Sequence, residues 1–159
     1  MDKVNHNIRP VYDADSKVLV LGSFPSVKSR EARFFYGHPQ NRFWKVLAAV
    51  TGCEVPLTVA DKTSMLLKNH IALWDTIASC EIDGSSDSSI RNAKPNDISV
   101  ILNAAPIRRI YCNGSKSYEL YRKYCEPVTG VKAVKLPSTS PANAAFGIDR
   151  LIEAWKVII

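Results

Sequence analysis

Four short stretches of this 159-residue chain collect the side chains that can do polar chemistry. They are Gly22-Ser-Phe-Pro-Ser26, His38-Pro-Gln-Asn-Arg-Phe-Trp44, Tyr111-Cys-Asn-Gly-Ser115 and Leu136-Pro-Ser-Thr-Ser-Pro-Ala-Asn143. Their groups are amides, hydroxyls and backbone N–H donors, with no paired carboxylates among them. The sequence has no glycine-rich dinucleotide loop, no P-loop and no G-x-S-x-G elbow, so nucleotide-phosphate and ordinary serine-hydrolase chemistry have no support. Its three histidines and four cysteines are too dispersed for a metal site, and no metal or organic cofactor is expected. Amides and hydroxyls suit a reaction whose leaving group is already fairly stable. Hydrolysis of the bond between a nucleobase and deoxyribose is such a reaction: it needs a positioned water and donors aimed at the departing base. One asparagine can do both, orienting water with its carbonyl and donating from its NH₂.

Three of these stretches, all but His38–Trp44, begin at the ends of strands. Lys17–Gly22 is a short apolar, β-branched run that reads as a fully buried strand. Ile71–Ala78 reads as a second strand fraying into a flexible polar loop, Ser79–Ser89; Arg109–Cys112 is a third, and Val131–Leu136, stopped by Pro137, the last. Helices are expected after Asn41 (Phe43, Val46, Leu47 and Val50, stopped at Gly52), over Thr58–Lys68, Asp97–Ala104 and Ser115–Tyr124, and over Ala144–Ile158. Alternating strands and helices predict a three-layer α/β/α sandwich around a central, mostly parallel four-stranded sheet. One domain over residues 1–159 accounts for the length. In such folds the site lies beyond the carboxyl ends of the strands, where these polar loops begin.

The residues also carry a family pattern. Gly22-Ser-Phe-Pro-Ser26, His38-Pro-Gln-Asn-Arg-Phe-Trp44 and Leu136-Pro-Ser-Thr-Ser-Pro141 together resemble the uracil-DNA glycosylase superfamily, from about Lys17 onward. With Tyr111-Cys-Asn-Gly-Ser115, the set is most similar to the hypoxanthine-DNA glycosylase branch. Phe24 stands where mismatch-specific uracil enzymes carry a water-positioning asparagine, and Leu136 where the best-known uracil enzymes carry histidine. In the hypoxanthine branch catalysis is attributed to the asparagine of the second block, here Asn41. The resemblance therefore implies a monofunctional DNA glycosylase that removes deaminated bases, foremost hypoxanthine, and leaves an abasic site.

Each residue has a second task open to it. Asn41 is the candidate for orienting water and is equally placed to cap the helix that follows. Phe24 is either a core residue or a stacking platform for an extruded base. Tyr36 is a pocket wall or a loop anchor, and Asn113 is a reader of the base edge or part of a strand-ending turn. Gly22 and Ser23 complete the expected base-binding set. Lys28, Arg30 and Arg42, with Ser138, Thr139 and Ser140, are the expected DNA contacts; the alternative for the last three is a plain turn. Asn143 is expected to cap the final helix, and Asp75 to be structural, holding a loop through backbone N–H groups.

The charge balance suits DNA: 21 lysines and arginines against 15 acids give a net +6, with five basic residues and one acid between Lys28 and Lys45. The expected partner is double-stranded DNA carrying deaminated bases, with single-stranded DNA left open. No apolar run reaches the roughly 18 residues of a membrane span and no secretory signal is evident, so a cytoplasmic monomer is expected. Competing readings are a mismatch-specific uracil-DNA glycosylase, a DNA-binding module without catalysis and a small-molecule enzyme in the same cleft.

Overall fold

The computed structural model describes residues 2–6 and 8–159. Its centre is a four-stranded, wholly parallel sheet of order β3-β2-β6-β7, where β2 is Val18–Gly22, β3 Ile71–Asp75, β6 Arg109–Asn113 and β7 Ala133–Leu136. Alternating residues of these strands feed two cores. Val20, Ile71, Leu73 and Tyr111 pack under α2 (Phe43–Thr51), α3 (Val59–Lys68) and α7 (Ile148–Trp155). Leu19, Leu21, Ala72, Ile110 and Cys112 face the other way, against α4 (Ser99–Ala104) and α5 (Ser115–Leu120), which continues through a π-turn into α6 (Glu126–Thr129). The three-layer α/β/α expectation therefore holds.

The expected frayed strand is in fact two strands. β3 ends at Asp75, and the chain re-enters order at once as β4 (Ile77–Ile82), in a second, antiparallel sheet of order β1-β4-β5. β1 is Asp2–Asn5 and β5 Arg91–Pro95. The expected flexible segment Ser79–Ser89 thus begins as strand, because Cys80 and Ile82 bury against Ile77 and Phe24. The polar N-terminal stretch contributes β1, although Met1 and Asn7 lie outside the described residues. At the break, Thr76 and Ile77 donate their N–H groups to the Gly22 and Ser23 carbonyls at 2.8 and 3.1 Å, which brings the end of β3 against the first polar loop. That loop contains α1 (Val27–Ala32), capped by Ser26. No helix among the described residues is long and apolar enough to cross a membrane.

Candidate active site

Parallel register brings the strand ends together. Gly22 pairs with Asp75, Leu21 with Cys112, and Asn113 with Leu136. Beyond them opens a cleft of about 320 Å³, within the usual range for small-ligand sites. Gly22, Ser23, Phe24, Tyr36, Asn41, Asn113, Ser138, Thr139 and Ser140 all line it; Lys28, Arg30 and Arg42 do not.

Thr139 joins the two asparagines. Its hydroxyl donates to Asn41 Oδ1 at 2.9 Å and accepts from Asn113 Nδ2 at 3.0 Å, while its N–H donates to Asn113 Oδ1 at 3.0 Å. Asn41 Oδ1 also accepts the Phe43 N–H at 2.9 Å. A backbone N–H can only donate, so this contact fixes which way the Asn41 amide faces. Both lone pairs of the carbonyl oxygen are thereby occupied, leaving its NH₂ group without a bond among the described residues. Arg42 holds the formal cap position of α2, yet the side chain that meets the first turn is that of Asn41, so the capping reading holds in part.

Arg42 has a task the sequence did not suggest. Its guanidinium donates to the carbonyls of Thr139, Ser140, Asn143 and Phe146, clamping the last polar loop over the cleft. It is thus engaged within the protein rather than free for phosphate. Thr139 is fully buried, which likewise removes its side chain from the expected DNA contacts. Asn143 does not cap the final helix: Gly147 does, and the Asn143 amide donates to the Ser138 carbonyl at 3.0 Å. Arg30 bonds the Gly84 carbonyl at 2.7 Å and sits over the Phe24 ring, 5.5 Å from its centroid. Lys28 is exposed and faces Glu31 at 3.7 Å.

Aromatic groups form the remaining walls. Phe24 is buried, with the His6 ring edge-on at 5.2 Å. Tyr36 takes a left-handed backbone conformation (φ 51°), uncommon for a bulky residue, and stacks on Phe43 at 4.1 Å. Gly114 is also left-handed (φ 95°), and a Cβ there would meet the Ser138 side chain at 3.1 Å. Its glycine identity lets the β6 loop and the β7 loop touch.

The Uracil DNA glycosylase superfamily pattern matches residues 9–158. The chain belongs to the uracil DNA glycosylase superfamily. It is 34% identical over 153 residues to a Methanosarcina acetivorans protein named hypoxanthine DNA glycosylase, with 93% of each chain covered. A Methanosarcina barkeri protein of the same name is 32% identical over 139 residues, covering 84% of this chain and 85% of that one. A solution NMR structure of a Methanosarcina acetivorans protein assigned to the uracil DNA glycosylases superposes with a TM-score of 0.82 at 31% identity, covering 97% and 95% of the two chains.

Within this uracil DNA glycosylase superfamily member, two acidic cleft residues were not among the expected site residues: Asp87 and, above all, Asp75. Asp87 Oδ1 accepts the Ser23 hydroxyl at 2.8 Å. Asp75 was expected to hold a loop through backbone N–H groups. Instead its carboxylate oxygen Oδ2 is buried with no hydrogen-bond partner among the described residues. Burial, and then the nearby Asp87 carboxylate, push its pKa from 3.8 up to about 7. The signal was present: Asp75 closes an apolar strand just as Gly22 and Asn113 do.

Proposed function

We propose that this protein hydrolyses the N-glycosidic bond of deoxyinosine in DNA, releasing hypoxanthine and leaving an abasic site. The observation that carries this reading is the fixed Asn41 amide in the cleft, in a chain that matches two proteins named hypoxanthine DNA glycosylase over most of its length. An extruded nucleotide enters between the β2, β6 and β7 loops. Asn41, half-buried at the rim, meets the sugar end, and its free NH₂ holds a water through one of the water's lone pairs. The other lone pair bonds to C1′ as the C1′–N9 bond breaks and its electrons leave with the base. One water proton ends on the base and the second stays on the new 1′-hydroxyl. The start of α2 beside Asn41 adds a partial positive charge that favours negative charge developing on the base.

Thr139 acts as a strut, holding Asn41 and Asn113 at one spacing. Phe24 supplies an aromatic wall, and Asn113 retains one N–H for the base. Duplex DNA is the substrate form, a monomer the acting unit, and Lys28 the cation best exposed to phosphate. Flipping is cheapest for a poorly paired lesion, which favours deoxyinosine over normal bases before any contact is made.

The test is release of base from end-labelled duplexes carrying one deoxyinosine or one deoxyuridine, with Asn41→Ala beside wild type. Deoxyinosine should be the better substrate, and Asn41→Ala should lower its turnover by roughly 10² or more, the scale of one lost positioned polar group. DNA binding should persist in the variant. Wild-type activity in Asn41→Ala would reduce Asn41 to a helix cap, and preference for deoxyuridine would move the substrate assignment to uracil.

A further inference from the structure

A second cavity, of about 450 Å³, lies outside the cleft, between β5 and the helix that runs from α5 into the π-turn at Tyr121–Cys125. Buried Ile90 and Leu120 supply its apolar lining, and both pack in one cluster with Phe24, a wall of the cleft. Its charged lining is Arg91, Lys116 and Lys123 against a single acid, Glu119. None of the three cationic side chains makes an ion pair or a hydrogen bond among the described residues, although Glu119 lines the same groove. Lys123 Nζ lies instead over the Tyr124 ring, 5.1 Å from its centroid. Arg42 shows the contrast, since its guanidinium is spent on backbone carbonyls.

The groove adjoins the cleft. Lys116 lies in the first turn of α5, two residues after Gly114, which closes against Ser138 of the cleft. Burial raises the pKa of Asp87, another cleft residue; the Ser23 hydroxyl and then Lys116 oppose that rise, which puts the Lys116 ammonium near the rim. Lys123 stands farther along the same helix. Lys116, Leu120 and Lys123 follow one another at i, i+4 and i+7, the spacing of a single helix face. At about 1.5 Å of rise per residue, the two lysines are roughly 10 Å apart along the axis. One strand of duplex DNA advances about 3.4 Å per nucleotide, so this stripe spans about three nucleotides.

We infer that this groove binds the phosphodiester backbone of the DNA strand on one side of the extruded nucleotide, with Arg91, Lys116 and Lys123 facing its phosphates. This rests on the glycosylase reading for what occupies the cleft and goes beyond it by assigning the path of the flanking strand. A nucleotide swung into the cleft draws its neighbouring phosphates to the rim, where Lys116 is the first cation of the stripe. Cations left unpaired within the protein can neutralise phosphate and release the counterions condensed on DNA, which is where sequence-independent affinity comes from. Such contacts position the protein without reading bases, as suits a lesion that arises in any flanking sequence. They add to Lys28, on α1, a second set of phosphate contacts on α5 and β5. Glu119 opposes the phosphates, so its removal should act with the opposite sign to the removal of its cationic neighbours.

The experiment is equilibrium binding to a duplex carrying one deoxyinosine, from about 50 to 200 mM salt, with thermal melting of each variant. The double variant Arg91→Ser, Lys123→Ser should melt as wild type does, because both side chains are exposed and unpaired. Its salt slope should be smaller by about 1.8, or 0.9 for each contact, so across that range wild type loses roughly twelvefold more affinity than the variant. Arg91→Lys with Lys123→Arg keeps both charges and should keep the wild-type slope. Glu119→Gln should tighten binding by roughly threefold, the size of one phosphate contact over the same range. Shortened duplexes locate the strand: cutting the flank on one side of the deoxyinosine to a single nucleotide should erase the difference between wild type and double variant, and cutting the other should preserve it. An unchanged salt slope in the double variant overturns the inference, and so does a difference that survives the trimming of either flank. A wild-type protein that releases no base, while its salt slope still falls in the double variant, would remove the glycosylase reading and still support the groove as a DNA site.

Discussion

Arg42→Ala separates two tasks that the sequence alone does not distinguish. If Arg42 clamps the loop, the substitution takes the guanidinium from the carbonyls of Thr139, Ser140, Asn143 and Phe146 together, the first three keeping only their backbone donors. A hydrogen bond to a charged group contributes roughly 1.5–3 kcal/mol net. Of the contacts, Ser140 at 2.8 Å is well formed and Asn143 at 3.2 Å moderate, while Thr139 at 3.4 Å is long. Arg42 is half-buried and the freed carbonyls regain water, so about 3 kcal/mol is the appropriate total rather than the full sum. For a domain of this size that corresponds to a melting temperature lower by roughly 6–12 °C. Arg42→Lys should recover little, because an ammonium cannot present a planar fork to several carbonyls. Base release should fall as well, because Thr139 rides on the clamped loop and orients Asn41. The assay is thermal melting with salt-dependent DNA binding on the same samples. An unchanged melting temperature, with a salt slope reduced by about 0.9, would mean one lost phosphate contact and would refute the clamp.

Thr139→Val should cost roughly 1–3 kcal/mol, since it removes the hydroxyl that Asn41 Oδ1 and Asn113 Nδ2 both bond, without changing volume much. It should also slow base release by about tenfold or more, with Thr139→Ser restoring both; melting and single-turnover rates decide. Asp75 predicts a pH signature. Its folded pKa is raised, so between about pH 4 and 7 the folded chain retains a proton that the unfolded chain has lost. Stability therefore falls as pH rises through that window, by at most roughly 4 kcal/mol, and is insensitive to this group below and above it. Asp87 and Tyr36 face the same carboxyl, and neither is a cation that would cancel the effect. The melting difference between Asp75→Asn and wild type should accordingly widen from pH 4.5 to pH 8; a constant difference would show that Asp75 titrates normally.

Of the central sheet, β2, β3 and β6 were legible because each is mostly a short apolar run covered on both faces, a pattern that needs no partner to be recognised, whereas β7, half exposed, was legible from its alternation and the stop at Pro137. The small antiparallel sheet was not. β5 (Arg-Asn-Ala-Lys-Pro) is almost wholly polar and exposed, and its pairing to β4 is a long-range choice that local composition does not encode. The break at Asp75-Thr76 was hidden by the same limit, since Ile71–Ala78 is continuously apolar apart from those two residues. At the site, the convergence of the polar loops followed from topology, and the family pattern singled out Asn41. What neither conveyed was which polar groups spend their bonding capacity on one another. Arg42 and Thr139 look like contacts for DNA by residue type, yet the folded chain uses them internally.

That difference in spending is itself an argument about mechanism. Asn41, Asn113 and Thr139 bond one another, so the Asn41 amide proposed to hold the water is fixed in place before any substrate arrives. Such preorganisation avoids reorganisation in the transition state. Asp75 and Tyr36 are left unsatisfied in the same cleft, at a cost in stability that a well-packed apolar pair would avoid. A fold selected only for stability would replace them with apolar side chains of similar volume. The cleft therefore holds two kinds of polar group, those whose bonding is completed within the chain and those whose bonding is not. Asp75→Asn tests that division directly: at pH 8, where the carboxyl is ionised, the variant should melt above the wild type, and a lower melting temperature would refute the cost assigned to the unpartnered carboxylate.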